Sequence, residues 1–252
     1  MKAKSILYIY KNVLYMKITF TTLFLLLVLL SCNNSQKSSV NSTSNEEMED
    51  KDSIENLDIR HKIANANGFQ NWKAVSEIAF TFNVDRGENH FDRSWIWKQK
   101  NGAISMISAE DTITYNRAQM DSLIMKTDAA FINDKYWLLA PFQLVWDEGI
   151  TFSEKENVVA PISNDTLSQL TIVYGNEGGY TPGDAYDFFY DKNFKIKEWN
   201  FRKANADKPS MTTTWEDYEN YNGIEIAKTH KDSTGNFKLY FTNISVKKET
   251  DN

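Results

Sequence analysis

Residues 133–146 read NDKYWLLAPFQLVW, and what covers them decides the fold. Tyr136, Trp137, Leu138, Leu139, Phe142, Leu144, Val145 and Trp146 crowd this stretch. Pro141 has no amide hydrogen, and its ring collides with the carbonyl four residues back, so a regular helix is expected to stop there. The segment is therefore read as irregular and apolar. Leaving it in water forfeits roughly 25 cal/mol per Å² of apolar surface, so other elements must wrap it.

The flanking sequence supplies the wrapping. Downstream, Leu170, Ile172 and Tyr174 alternate, and Tyr186, Phe188 and Tyr190 alternate with Asp187, Phe189 and Asp191, which is the period of a strand. Within 194–201 the apolar phase shifts from Phe194 and Ile196 to Trp199 and Phe201, and within 237–246 from Phe237, Leu239 and Phe241 to Ile244 and Val246. Each shift predicts a bulge or an inversion of burial. Strands are also expected over 211–218 and 224–230, with Asn222-Gly223 and Thr234-Gly235-Asn236 as tight hairpin turns.

Upstream, Ile78, Phe80, Phe82 and Val84 alternate, then Phe91, Arg93, Trp95 and Trp97 share one face of the next strand. Asn101-Gly102 turns the chain into short strands over 103–108 and 112–115. Asn116 and Gln119 form a capping-box pattern, and Met120, Leu123, Ile124, Thr127 and Phe131 follow at helical spacing, which predicts a helix over 117–131. A first helix is expected after Ser53, with Ile54, Leu57, His61 and Ala64 on one face and Gly68 at its end. Two helices, one irregular apolar segment and about ten strands joined by short turns require antiparallel neighbours. The expected class is α+β, mostly antiparallel β.

The 252 residues carry 28 basic and 34 acidic side chains. Residues 1–31 hold four of the lysines and none of the acids, so the net charge of −6 becomes −10 beyond them. An acidic body lacks the basic footprint that nucleic acid requires. Cys32 is the only cysteine, which excludes an intrachain disulfide and a thiolate metal cluster.

Lys17 followed by the uncharged run 18–30 and Leu29-Leu30-Ser31-Cys32 has the layout of a secretory signal. As a helix the run rises only about 20 Å, short of a bilayer core. The string resembles the lipobox of bacterial lipoproteins, in which the cysteine is acylated. The resemblance implies removal of residues 1–31, with Met16 as the true start, and membrane attachment through Cys32. Residues 33–53 are rich in Asn, Ser, Lys, Asp and Glu and read as a flexible tether with a reach of about 25 Å. Residues 54–252 then form one domain. By known sorting rules, Asn33 without a following acidic pair implies an outer-membrane lipoprotein facing the periplasm or the cell surface.

The order of elements behind a lipobox (helix, meander, helical insertion, longer meander) resembles the superfamily of the periplasmic lipoprotein carrier LolA and its outer-membrane counterpart LolB. The phrases FINDKYWLLAPFQL, GGYTPGDAYDFF and TTWEDY are similar to those of envelope lipoproteins of Bacteroidetes-type bacteria. The resemblance to the carriers implies a strongly curved half-barrel sheet that wraps helices and encloses an apolar cavity for acyl chains.

In that arrangement Phe91, Trp95, Trp97, Tyr136, Trp137, Phe142 and Trp146 would line the cavity, with Tyr180 of the glycine-rich loop 175–183 closing its mouth. Ordinary core packing of aromatics is the competing reading. His61, His90 and His230 have no metal-ligand spacing, and neither a metal nor a cofactor is expected. Asp147 with Glu148 and Asp184 with Asp187 are the carboxylate pairs that could serve glycan hydrolysis. No GxSxG elbow is present. The first expectation is therefore a monomeric, non-catalytic binder of a hydrophobic small molecule or lipid. The alternatives are an envelope glycan hydrolase using Asp147 or Asp184, and a protein-docking platform.

Overall fold

The computed structural model describes residues 57–109, 111–122, 124–176 and 181–249. The signal segment, Cys32, the tether, Ser53, Ile54 and Tyr180 lie outside the described residues. Among the described residues, twelve strands and two α-helices organise the fold, all strand pairs being antiparallel. This is the expected α+β class, with curled sheets wrapped on a central helix.

Helix α1 spans Ile59–Ala66 and is capped by Asp58, whose carboxylate accepts from the His61 amide at 3.1 Å. It buries Ile59, Ile63 and Ala64, so of the expected face only Ala64 is fully buried. Gly68 follows at φ 87°, as its helix-ending role requires. A Cβ there would stand 2.0 Å from the Gly223 carbonyl oxygen. A 3₁₀ turn, Phe69–Ala74, then carries Trp72 into the core.

The first sheet contains β1 (Val75–Arg86), β2 (Asn89–Lys98), β3 (Ala103–Ile107), β4 (Thr112–Asn116), β10 (Glu216–Tyr221), β11 (Ile224–Lys231) and β12 (Phe237–Lys248), in the order β10-β11-β12-β1-β2-β3-β4. The second contains β5 (Ile150–Val159), β6 (Thr166–Tyr174), β7 (Ala185–Tyr190), β8 (Ile196–Arg202) and β9 (Met211–Thr214), in chain order. Both predicted bulges are present. In β8 the pairing slips between Phe189↔Glu198 and Tyr190↔Ile196, and in β12 between Ala79↔Ser245 and Thr81↔Thr242. Such extra residues bend and twist a strand, which curls the sheets.

Three expectations are corrected. The strand foreseen over 211–218 is two strands in different sheets. Trp215 leaves the ladder, its amide donating to the Lys197 carbonyl at 2.7 Å, and Asp217 turns the chain at φ 56°. Strand β5 went unforeseen because its side chains are almost all exposed, so no alternation marks it. Of the helix foreseen over 117–131, the start is a 3₁₀ turn at Arg117–Gln119, where Asn116 accepts from the Ala118 amide at 2.9 Å, and 125–131 is α-helical. The α-helix begins later and runs through the stretch read as irregular.

That helix, α2, spans Met125–Trp146. It absorbs Pro141 by a local break at Leu139, at φ −127° and ψ 28°. Its residues from Tyr136 to Leu144 are all buried. A helix apolar on every side is a buried helix, which is why no single stripe marks it. Phe131 touches Trp95 and Trp97 of β2, while Trp137 touches Trp199 of β8 and Phe237 of β12. The one helix thus packs on both sheets.

Candidate functional site

Helix α2 sorts the predicted aromatic residues into separate groups. Trp97, Phe142 and Trp146 come together at one end, joined by Trp72 and Phe69. Trp72 lies 5.4 Å from Trp97 and 5.0 Å from Trp146, centroid to centroid, and Phe69 lies 5.3 Å from Phe142. Phe142 and Trp72 are buried, while Phe69, Trp97 and Trp146 keep part of their surface in solvent. Trp95 is fully buried against Phe131. Tyr136 packs with Tyr186 and Trp199, and Trp137 faces Trp199 and His230 on another side of α2. Phe91 is 48 % exposed and stacks only with the Arg93 guanidinium, apart from the rest.

The first group surrounds a cation. Lys135 Nζ lies 5.7 Å from the ring centres of both Trp97 and Trp146. Burial pulls its pKa down to about 8, helped by the charge of Arg117 and opposed by Asp147 and Asp128. With the Gln143 amide turned to satisfy both neighbours, its oxygen accepts from Lys135 at 3.0 Å and its nitrogen donates to Asp147 at 3.0 Å. Burial raises the Asp147 pKa, against the Tyr174 hydroxyl, which donates to it at 2.6 Å, and against Lys135. The Tyr136 hydroxyl stands 3.1 Å from that of Tyr174. Among the described residues no carboxylate forms an ion pair with Lys135. The arrangement is a half-buried ammonium between indole faces, backed by a hydrogen-bonded chain, and it suits an anion with an apolar body.

The two buried carboxylates of α2 have structural partners. Asp134 takes Arg93 through two hydrogen bonds of 2.5 and 2.6 Å and Trp95 Nε1 at 2.8 Å. Asp128 takes the Tyr115 hydroxyl at 3.0 Å and Arg117 at 2.9 Å.

The carboxylate pairs are placed as follows. Glu148 is exposed beside Asp147. Asp184 accepts from the Ala204 amide at 2.7 Å. Asp187 is held by Arg202 and accepts from Thr171 at 2.7 Å. The three histidines sit apart: His61 pairs with Asp58, His90 with Asp85, and His230 is buried among rings.

Sequence reasoning missed Lys135 and Gln143. Read as helical, 133–146 places Lys135, Phe142 and Trp146 on one face, at offsets of seven and eleven. The Pro141 stop signal hid that face.

Comparison with known proteins places the chain beside distant structures. A DUF1329 family protein from Desulfovibrio piger superposes with a TM-score of 0.42 at 10 % identity, over 80 % of this chain and 94 % of that one. A putative outer membrane lipoprotein-sorting protein domain from Vibrio parahaemolyticus superposes with a TM-score of 0.45 at 9 % identity, over 79 % and 93 %. The second is of the kind to which the order of elements pointed. Likenesses this remote do not carry a function across. No family model and no curated protein matches the chain.

Proposed function

We propose that the protein binds an amphipathic anion, an acyl chain ending in a carboxylate or phosphate, without transforming it. The body would be leashed to the cell envelope through an acylated Cys32 and act as a monomer. The observation that carries the reading is Lys135, half-buried between Trp97 and Trp146 with no carboxylate paired to it. Holding an ammonium out of water without a counter-charge is costly, and the lowered pKa is that cost expressed as proton affinity. An incoming anion would relieve it. The half-buried rings Phe69, Trp97 and Trp146 have apolar surface left to cover the first carbons of a chain, each buried CH₂ being worth about 0.8 kcal/mol.

The test is a pair of ligands. A fatty acid should quench the intrinsic tryptophan fluorescence at concentrations where the alcohol of the same length does not. Lys135→Met should erase that preference, and Trp146→Ala should weaken both. Equal binding of acid and alcohol, or no binding of either, removes the proposal.

One observation favours a second reading. Asp147 is held toward its protonated form by burial, as a general acid requires. If it acts on envelope glycans, Asp147→Asn abolishes turnover of muropeptide or lipopolysaccharide sugars while leaving acid binding in place. Absence of turnover by the unaltered protein dismisses that reading.

A further inference from the structure

The two sheets meet where β9 and β11 lie side by side without a ladder between them. Two links cross the seam. Lys231 donates its amide to Thr214 Oγ1 at 3.0 Å, and His230 Nδ1 lies 3.2 Å from the Thr214 carbonyl. The inner wall of this seam is aromatic. Trp215 is 5.4 Å from Trp199 and 4.5 Å from His230, and Trp137 of α2 packs on Trp199 at 4.4 Å.

Four polar atoms of this wall have no hydrogen-bond partner: Trp199 Nε1, Thr213 Oγ1, Trp215 Nε1 and His230 Nε2. Their residues are 0 or 1 % exposed. They are also neighbours by topology. Thr213 is the cross-strand partner of Trp199, so the two side chains stand on one face. Trp215 follows Thr213 by two positions, the repeat of a strand face, and the His230 ring lies against Trp215. Buried polar groups are almost always paired, and four orphans in one cluster are outside that rule.

The chemistry of the four atoms is complementary. Both indoles donate only. A carbonyl only accepts, so Nδ1 of His230 carries the ring hydrogen toward Thr214 and leaves Nε2 as an acceptor. The Thr213 hydroxyl can do either. A hydroxyl oxygen can accept from an indole and donate to an imidazole at once. No charged side chain faces the cluster among the contacts described, and burial keeps His230 neutral with its pKa pushed down to about 3. An ion would therefore be desolvated here without compensation.

We infer that the seam between β9 and β11 is a binding site for a neutral hydroxyl guest, held by Trp199, Thr213, Trp215 and His230. Water and a small polyol share this chemistry. A surface crevice of about 440 Å³ lies near the seam, its lining including Arg86, Met211, Thr212, Asp232 and Phe237, and Phe237 touches Trp137. The site is separate from Lys135 and does not depend on the anion-binding proposal.

The test uses the folded chain labelled with ¹⁵N at its indoles and dialysed free of additives. The Trp199 and Trp215 indole protons are expected to show cross-peaks to a bound guest, assigned by Trp199→Phe and Trp215→Phe. Cross-peaks to water that persist unchanged on adding glycerol identify water. Indole shifts that move and saturate with glycerol identify a polyol. Thr213→Val, which swaps the hydroxyl for a methyl of the same shape, should lower the urea unfolding midpoint, because a held guest loses a partner. An orphan hydroxyl would give the opposite, since its removal frees a buried polar group. Indoles with no cross-peak to either guest, or a midpoint that rises in Thr213→Val, overturn the inference.

Discussion

Replacing Asp134 by Asn should unfold this protein more readily than any other single-atom change on α2. The carboxylate is fully buried and receives four donors: Arg93 Nε and Nη2, Trp95 Nε1 and the Asn133 amide at 3.0 Å. An asparagine keeps the shape but not the charge. Whichever way its amide turns, the NH₂ meets a donor from Arg93 or Trp95, and the guanidinium loses its counter-ion. Breaking a buried pair from one side costs about 3–5 kcal/mol. For a body of this size that corresponds to roughly 6–20 °C in melting temperature, at about 2–4 °C per kcal/mol. The double variant Arg93→Met with Asp134→Leu removes both charges and leaves the Trp95 N–H unpaired, which costs about 1–3 kcal/mol. The double should therefore be more stable than the single. Urea unfolding followed by circular dichroism measures both. A loss under about 1 kcal/mol for Asp134→Asn, or a double variant weaker than the single, would refute the view that this pair fastens β2 to α2.

Two further outcomes follow from the same coordinates. Lys135 binds its proton less tightly folded than unfolded, so between about pH 8 and 10.5 the unfolded chain holds more protons. Stability should therefore rise with pH across that window, the full penalty being present below it. Lys135→Met should flatten the rise in a pH series of urea midpoints, and an unchanged slope would place the titration elsewhere. Gly68→Ala puts a Cβ 2.0 Å from the Gly223 oxygen at a backbone angle that alanine resists, so thermal melting should show a loss of about 1–3 kcal/mol. The same change at Gly87, where a Cβ meets nothing within 4 Å, should cost less.

Strands such as β1 and β6 were legible because their larger apolar side chains recur at every second position. Alternation marked β1, β6 and β7, and the two phase shifts located the bulges of β8 and β12 to within a few residues. Where a strand has no buried face the signal vanishes, as in β5, an outer strand of its sheet with Glu154, Lys155 and Glu156 all in solvent. The corner at Trp215 was illegible for another reason. Its neighbours continue the strand pattern, and only the loss of pairing with β8 marks the change of sheet. Of the aromatic residues read as inward, Trp95, Tyr136, Trp137 and Phe142 are buried while Phe91 is exposed, and composition does not say whether rings meet each other or a guest. Tyr136 meets other rings, while Trp97 and Trp146 meet both rings and the Lys135 ammonium.

Helix α2 shows why the candidate site escaped the pattern. An amphipathic helix declares its polar residues as a solvent face, and a reader assigns them to water. Between Tyr136 and Leu144, α2 has no solvent face, so a polar residue near this span needs a named partner. Asp128 has Tyr115 and Arg117, Asp134 has Arg93 and Trp95, and Gln143 joins Lys135 to Asp147. Lys135 is the member of this set that touches an amide and two indole faces and has no carboxylate in direct contact among the described residues, Asp147 and Asp128 acting on it from farther off. Evolution of a plain structural helix would favour Leu or Met at such a position, since either fills the space between Trp97 and Trp146 without desolvating a charge. A cation kept there at a cost in stability, with Asp147 reached only through Gln143, is the feature on which the proposed anion binding rests.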